Sequence, residues 1–380
     1  MIELKHEEFS MIYPLLKGLL KYNYILRSVI DGSVAGRVFV DDAENPKTVL
    51  LWDKTDCAGI YIEGEYSPEI AKAMNNLIRE KIIPEANTIE DTKDIASCYS
   101  PIDVWEDKMV REVFAGLFVM KSYRKFLIFD KGKNKILNWE KLVPDNFKMV
   151  RFSEDVEMLK NQDIKNADQL VHRISYSKPG FGCCLIDKKV NEIASVCFSD
   201  WSSDVYLEVG IKTEEKYRKR GFAAVTTAAM IEFALERGIE HIGWHLWDGN
   251  IGSEYTAIKA GFRMERRHVV YHFWYNEFDN LHVNLRFYFY EQRDYNKVLF
   301  FLRKIRELEE NNTESYKRAD FISDEYKKWL LYVEASCMAR LGDLNAIIIR
   351  LNQLIEIGLH NKTGFIQFNN IFTLSFLHFW

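Results

Sequence analysis

The 380-residue sequence contains no uninterrupted apolar run near the ~20 residues that a membrane-crossing helix needs. Its opening, Met1 to Phe9, is charged and amphipathic, so no secretory leader and no membrane partner are expected. It also lacks a dominant charge. The 51 basic and 56 acidic side chains leave a formal net charge of −5. That balance gives no reason to expect nucleic acid or an anionic surface as partner. The six cysteines, Cys57, Cys98, Cys183, Cys184, Cys197 and Cys337, show no C-x-x-C spacing. Neither a metal site nor a disulfide framework is therefore indicated. Most sit among apolar, strand-like residues and read as small buried hydrophobes in a reducing cytoplasm. What the chain does have is apolar content: 47% hydrophobic residues suffice for full cores in two or three domains.

The most informative stretch is Val205 to Ala223. An apolar strand, Val205 to Ile211, leads through a polar loop into Arg218-Lys219-Arg220-Gly221-Phe222-Ala223 and then an alanine-rich helix that ends at Gly238. The first N–H groups of that helix have no internal partner and carry the positive end of its dipole, which suits a phosphate. Gly221 has no Cβ to hold a ligand away from the backbone. Alone, such a turn is more often a solvated basic loop. A second strand, His241 to Trp247, follows, and then a helix opened by Asn250 and closed by Gly261-Phe262.

This succession resembles the acetyl-CoA site of the GNAT superfamily of N-acetyltransferases. Arg218, Gly221 and Ala223 match that family's Q/R-x-x-G-x-G/A loop. Asn250, Ser253, Ala257, Lys259, Gly261 and Phe262 match its next motif, N-x-x-S…A-x-K-x-G-F. The resemblance implies an α/β fold with a central mixed sheet, acetyl-CoA as donor and an amine as acceptor. It implies that backbone groups of Val209, Gly210 and Ile211 hold pantetheine and the acetyl oxygen, with Thr213 nearby. Arg218, Lys219, Arg220, Gly221, Phe222 and Ala223 would hold the pyrophosphate. A glycine inside a strand, as at Gly210, fits close approach of a ligand.

Glu208 is the candidate general base, because a partly buried carboxylate shifts toward neutrality. Its alternative is simple pairing with a basic neighbour. His245 is the second candidate, since an imidazole titrates near ~6.5; its alternative is a structural histidine. Many members of the family carry a Tyr seven residues after the Asn, where this chain has Ala257. Ser253 shares that helical face and is the candidate for bonding the leaving thiolate, whereas Tyr255 is turned away. The missing Tyr leaves a second reading open: an acyl-CoA-binding or partner-docking protein without turnover. The acceptor, a small-molecule or protein amine, depends on pocket shape, and residues Trp201 to Asp204 are expected to line it.

The chain divides into residues 1–135, a degenerate copy of the same α/β fold; 136–284, the acetyl-CoA-binding domain; and 285–380, a helical part. In the first, residues 1–23 read as helix with Pro14 as a break. Strands are expected at Tyr24 to Ile30, Gly36 to Val40, Thr48 to Trp52, Ala58 to Ile62 and Ile95 to Tyr99, with one or two more within Phe118 to Phe129. A helix capped by Ser67 with Pro68 in its first turn lies among them, and another is expected over Trp105 to Phe114. The entry to the Ser67 helix, Gly64 to Glu69, is acidic, so no coenzyme is expected there. In the middle part, Val150 to Met158 reads as strand, Ala167 to Ile174 as helix, Phe181 to Ser199 as a hairpin and Glu265 to Trp274 as the closing strand. In the last, Glu325 to Leu341 and Leu344 to Ile357 resemble a tetratricopeptide pair, with Ala335, Gly342 and Leu351 at its packing positions. An ordinary helical bundle is the alternative. The apolar tail, residues 365–380, is expected to dock on those helices or on a second chain, which makes this part the candidate for a protein partner or self-association.

Overall fold

The computed structural model describes residues 1–55, 59–88, 95–100, 108–153, 159, 164–167, 180–317 and 323–356. Contacts divide the chain into two units. The first is Met1–Ile82, Ile89–Phe114 and Lys121–His272; the second is Ile83–Thr88, Ala115–Met120 and Phe273–Trp380.

The first unit is built on a mixed sheet. Its strands are β1 (Ile2–Glu3), β2 (Gly36–Val40), β3 (Thr48–Asp53), β4 (Gly59–Gly64), β5 (Ile95–Tyr99) and β6 (Met120–Phe129), then β7 (Phe147–Phe152), β8 (Gly182–Asp187), β9 (Glu192–Ser203), β10 (Tyr206–Thr213), β11 (His241–Trp247) and β12 (Arg263–Trp274). Among the described residues the α-helices that accompany them include α1 (Ile25–Ile30), α2 (Pro68–Leu77), α3 (Phe222–Glu236) and α4 (Ile251–Lys259). The strand order is β1-β2-β3-β4-β5-β12-β6-β11-β10-β9-β8-β7.

One pattern occurs twice. β2 pairs antiparallel with β3 and β3 with β4, α2 intervenes, and β5 returns parallel to β4. Likewise β8 pairs antiparallel with β9 and β9 with β10, α3 intervenes, and β11 returns parallel to β10. The closing strands are exchanged: β12, late in the chain, lies beside β5, and the early β6 lies beside β11. Each half thus covers the other's open edge, which would otherwise present unpaired backbone groups. The exchange also carries β6 side chains to the margin of β11.

Alternation sets the sheet's two faces. On one, Leu207, Val209, Ile242, Trp244 and Leu246 pack with Ala229, Met230 and Ile231 of α3. The many small residues of α3 let it lie close on the strands and be buried on most sides. On the other, Phe126 packs with Tyr24, Ile25, Val29 and Ile30 at α1.

Two local expectations need correction. Tyr24 to Ile30 is not a strand; Ile25–Ile30 is the helix α1, with Ile25, Leu26, Val29 and Ile30 all buried. Seven residues with Arg27 and Ser28 in their middle are too few to fix a period, so burial by the surroundings decides the form. Residues 1–23 are not one helix: Ile2–Glu3 pairs with β2, and short 3₁₀ turns cover His6–Ile12 and Leu19–Lys21. Pro14 separates the two turns, and Glu63 accepts from the N–H groups of Gly18 (2.8 Å) and Leu19 (3.0 Å). Phe118 to Phe129, expected to hold one or two strands, holds one, β6. All but the first residue of the expected helix at Ala167 to Ile174, the end of the expected strand at Val150 to Met158, the start of the expected helix at Trp105 to Phe114, and the tail 365–380 lie outside the described residues.

The second unit is helical: α5 (Glu277–Arg286), α6 (Tyr295–Glu310), α7 (Asp324–Leu341) and α8 (Leu344–Glu356). Asn276, Asp294 and Ser323 each cap the next helix by accepting an N–H three residues on. Gly342, at φ +81°, ends α7 in the left-handed conformation that glycine adopts without penalty. Its core joins Phe278, Leu281, Phe301, Ile305, Trp329 and Val333. Among the described residues no helix is long and apolar enough to cross a membrane.

Candidate functional site

β10 and β11 begin as a regular parallel pair, Tyr206 to Glu208 opposite His241 to Gly243. Their pairing stops there. β10 continues to pair with β9 on its other side through Val209, Gly210, Ile211, Lys212 and Thr213. A bulge between Glu208 and Val209 leaves Asp200 of β9 as the extra residue. Such a bulge bends the strand and increases its twist, and here it sits where the two strands part. The wedge between them holds a cavity of about 450 Å³. Val209, Gly210 and Ile211 line one wall, Trp244 to Trp247 the other, and Asn250 and Ser253 close one end. Backbone groups of Val209 to Ile211 that would have paired with β11 therefore face this space.

At the end of β10 the chain passes through a 3₁₀ turn, Glu215–Tyr217, into Gly221, which caps α3 at φ +81°. That conformation is costly for any residue with a Cβ. No side chain caps α3, so its first N–H groups remain available to an anion. A Cβ built on Gly221 would meet nothing nearer than Lys259 Nζ, at 3.6 Å, so the turn opens toward a lysine. α2, the equivalent helix of the first half, differs: Ser67 Oγ accepts the Ile70 N–H and closes its N-terminus from within.

The two arginine side chains of the basic turn have other occupations. Arg218 Nε donates to the Thr213 carbonyl (3.2 Å). The Arg220 guanidinium lies over Phe222 at 4.6 Å. Lys219 adopts φ +61°. Phe222 is buried with Phe147, Leu185 and Tyr217, and anchors the start of α3. Ala223 follows in the first turn. What the turn offers a phosphate is thus backbone N–H groups, with Lys259 at the rim. Thr213 Oγ1 shares a 2.8 Å hydrogen bond with Ser195 Oγ and is not part of the cavity wall.

Gly210, which lines the cavity, has a further reason to be glycine on the side facing β9. A Cβ there would lie 2.6 Å from the Phe198 ring across the β9–β10 pair. The missing side chain makes room for an aromatic neighbour.

Asn250 caps α4 by accepting the Ser253 N–H (3.1 Å). Ser253 Oγ accepts from Trp244 Nε1 (3.1 Å), which turns the hydroxyl toward the splayed strand. Ala257 is fully buried one turn on, and Tyr255 is 68% exposed on the opposite face.

Glu208 and His245 meet, with Glu208 Oε1 2.8 Å from His245 Nδ1. Burial raises the Glu208 carboxyl to about 7, against a lowering by Arg124. Burial, aided by the Arg124 charge, pushes the His245 imidazole well below its usual range, so the ring is neutral. Arg124 comes from β6, donates from Nη1 to Tyr99 Oη (2.5 Å) and lies 5.3 Å from the Trp247 ring.

Several cavity residues carried no sequence signal. Arg124 is more than a hundred positions away and arrives by strand exchange, which local patterns do not report. Asp200 lines the wall through the bulge, in place of Trp201 and Ser202, which are buried in β9. The alternation of β9 would have exposed this only with the bulge known. Among the described residues no group of three or more His, Cys, Asp and Glu could hold a metal ion.

A family model described as GNAT acetyltransferase matches residues 14–271. A GCN5-related N-acetyltransferase-like protein from Streptococcus suis 89/1591 is 19% identical, with 70% of this chain and 98% of that chain covered and a TM-score of 0.48. A tandem GNAT protein from the clavulanic acid biosynthesis pathway is 10% identical, with 72% and 98% covered and a TM-score of 0.45. A GCN5-related N-acetyltransferase from Sphaerobacter thermophilus is 9% identical, with 66% and 85% covered and a TM-score of 0.45. No curated protein matches the chain significantly.

Proposed function

The chain belongs to the GNAT acetyltransferase family, and from that premise we propose that it moves the acetyl group of acetyl-CoA to an amine. The observation that carries this reading is the wedge where β10 and β11 part, joined to the uncapped, glycine-led start of α3. The residues fit the donor by chemistry. Open backbone groups at Val209, Gly210 and Ile211 match the amides of pantetheine, and the α3 N-terminus with Lys259 matches a pyrophosphate. When bound, acetyl-CoA supplies a thioester whose carbonyl carbon accepts an amine. Ser253, fixed by Trp244 and the Asn250 cap, is placed to donate toward a developing thiolate. Asp200 and Arg124 give the acceptor end of the cavity one charge of each sign.

The first half, with its matching order of strands, is read as a degenerate copy in which Ser67 occupies the helix start that a phosphate would need. α7 and α8 are read as one tetratricopeptide-like pair that docks a partner or a second copy. A cytoplasmic location agrees with the buried, unpaired thiols found among the described residues at Cys98, Cys183, Cys184, Cys197 and Cys337.

A second reading, acyl-CoA binding without turnover, draws on Ala257, whose buried methyl group provides no acid for the leaving thiolate. One screen separates the two: a thermal shift with acetyl-CoA, then release of free CoA thiol over a panel of small and peptide amines. A melting shift followed by amine-dependent thiol supports transfer. A shift with no thiol from any amine supports binding alone, and no shift removes both.

A further inference from the structure

We propose that His245 takes the proton from the acceptor amine, and that Glu208 is a positioning residue acting through it. This rests on the acetyltransferase reading above. Of the two residues, His245 is the one on the cavity wall; Glu208 stands behind it. With Nδ1 engaged by Glu208, the ring's other nitrogen, Nε2, is buried and has no hydrogen-bond partner. Buried polar atoms are nearly always bonded, so an orphan nitrogen on a residue of the cavity wall marks a position that a ligand or an ordered water completes. The two side chains are 5% and 8% exposed, so bulk water does not compete for their hydrogen bond.

The groups packed around the pair come from three places in the chain. Arg124 projects from β6, and the His268 ring of β12 has its centre 5.4 Å from that of His245. Tyr24, ahead of α1, feels the Glu208 charge. His268 is itself held neutral by burial, down to about 2. Arg124 is thus the fixed positive charge nearby, and it opposes a cation on His245 unless Glu208 is ionised. When Glu208 is a carboxylate it accepts the Nδ1–H, and Nε2 presents a lone pair. When Glu208 is protonated its hydroxyl donates to Nδ1, the ring proton moves to Nε2, and the acceptor is lost. The pair is therefore competent above about 7 and silent below.

In the transfer, the amine lone pair forms the new C–N bond at the acetyl carbon while the C–S bond breaks and the sulfur keeps its electron pair. The proton lost from nitrogen goes to Nε2, directly or through one water, and from there to the thiolate. The transient imidazolium is paired with the Glu208 carboxylate, in the manner of a carboxylate that orients a catalytic histidine without taking the proton itself.

Two measurements test this. Nitrogen NMR of histidine-labelled protein needs no acceptor. It should show His245 switching from the Nε2–H to the Nδ1–H tautomer as pH rises through about 7, and Glu208→Gln should abolish the switch. A single tautomer across that range overturns the proposal. With an amine from the screen, His245→Gln should lower kcat by roughly 10²–10⁴-fold with little change in KM for acetyl-CoA. The double variant with Glu208→Gln should be no slower than His245→Gln alone, because residues acting as one unit are not additive. A His245→Gln enzyme that keeps most of its kcat and its pH dependence returns the base to Glu208. If no amine turns over, the acetyltransferase reading has failed, and the tautomer switch still decides whether the pair is built as described.

Discussion

Replacing Gly221 separates backbone strain from ligand electrostatics at the turn before α3. Gly221 sits at φ +81°, and a Cβ there meets no protein atom closer than Lys259 Nζ at 3.6 Å. Gly221→Ala therefore produces no internal collision. Its cost to folding is the left-handed backbone, on the order of 1–2 kcal/mol. For a unit of this size that corresponds to roughly 2–8 °C in Tm. Gly221→Glu carries the same strain and adds a negative charge where the pyrophosphate is expected. A like charge at ~4 Å is worth about 1 kcal/mol in water and about 4 kcal/mol in a partly shielded site. The extra loss in acetyl-CoA affinity should be roughly 5- to 1,000-fold, and it should shrink as salt is raised. Calorimetric titration of wild type and both variants, with melting curves alongside, reads the two effects apart. Wild type should bind one donor per chain. A Glu variant that binds like wild type while its Tm falls would refute the placement of the phosphate, and two sites per chain would refute the contrast drawn with Ser67.

Other outcomes follow from the same geometry. Glu208 has its folded pKa raised from 4.5 to about 7, so the folded protein holds that proton after the unfolded chain has released it, and stability falls as pH rises across the interval. Glu208→Gln should remove this loss, gaining up to on the order of 3 kcal/mol over wild type by the top of the interval; parallel urea-unfolding stabilities at both ends of it would contradict the burial argument. Ser253→Ala strips the acceptor from Trp244 Nε1 and should cost about 1–3 kcal/mol in denaturant unfolding, whereas an unchanged midpoint would mean the indole finds another partner. Asn250→Ala should cost about 0.5–2 kcal/mol through the lost α4 cap and weaken acetyl-CoA binding, while Tyr255→Phe, on an exposed face, should leave titration and turnover unaltered. A Tyr255→Phe protein that folds but is inactive would reverse the assignment of the helix faces.

Much of the coenzyme half was legible because its signals are local. Gly221, the alanine-rich helix after it and the Asn250 cap each act within a few residues, and neighbouring positions record them. The strand–helix–strand order of both halves was readable for the same reason. Tyr24 to Ile30 misled because seven residues, interrupted by Arg27 and Ser28, are too few for a period to separate helix from strand. That a Cβ at Gly210 would meet Phe198 was not readable, because Phe198 lies on another strand. The contact of Glu208 with His245 depends on where two parallel strands part, and Arg124 reaches the site through an exchange of closing strands. Those are tertiary facts, and the residues themselves carry no trace of them.

The central claim is that an acetyl group passes from the thioester to nitrogen in the wedge between β10 and β11. Mass spectrometry of the products, with acetyl-labelled CoA and an amine from the screen, tests it most directly. The account predicts an N-acetyl amide, stable to hydroxylamine, in equal amount to the CoA thiol released, and loss of both in Gly221→Glu. Labelled free acetate in place of amide, or amide formed equally well by Gly221→Glu, would contradict it.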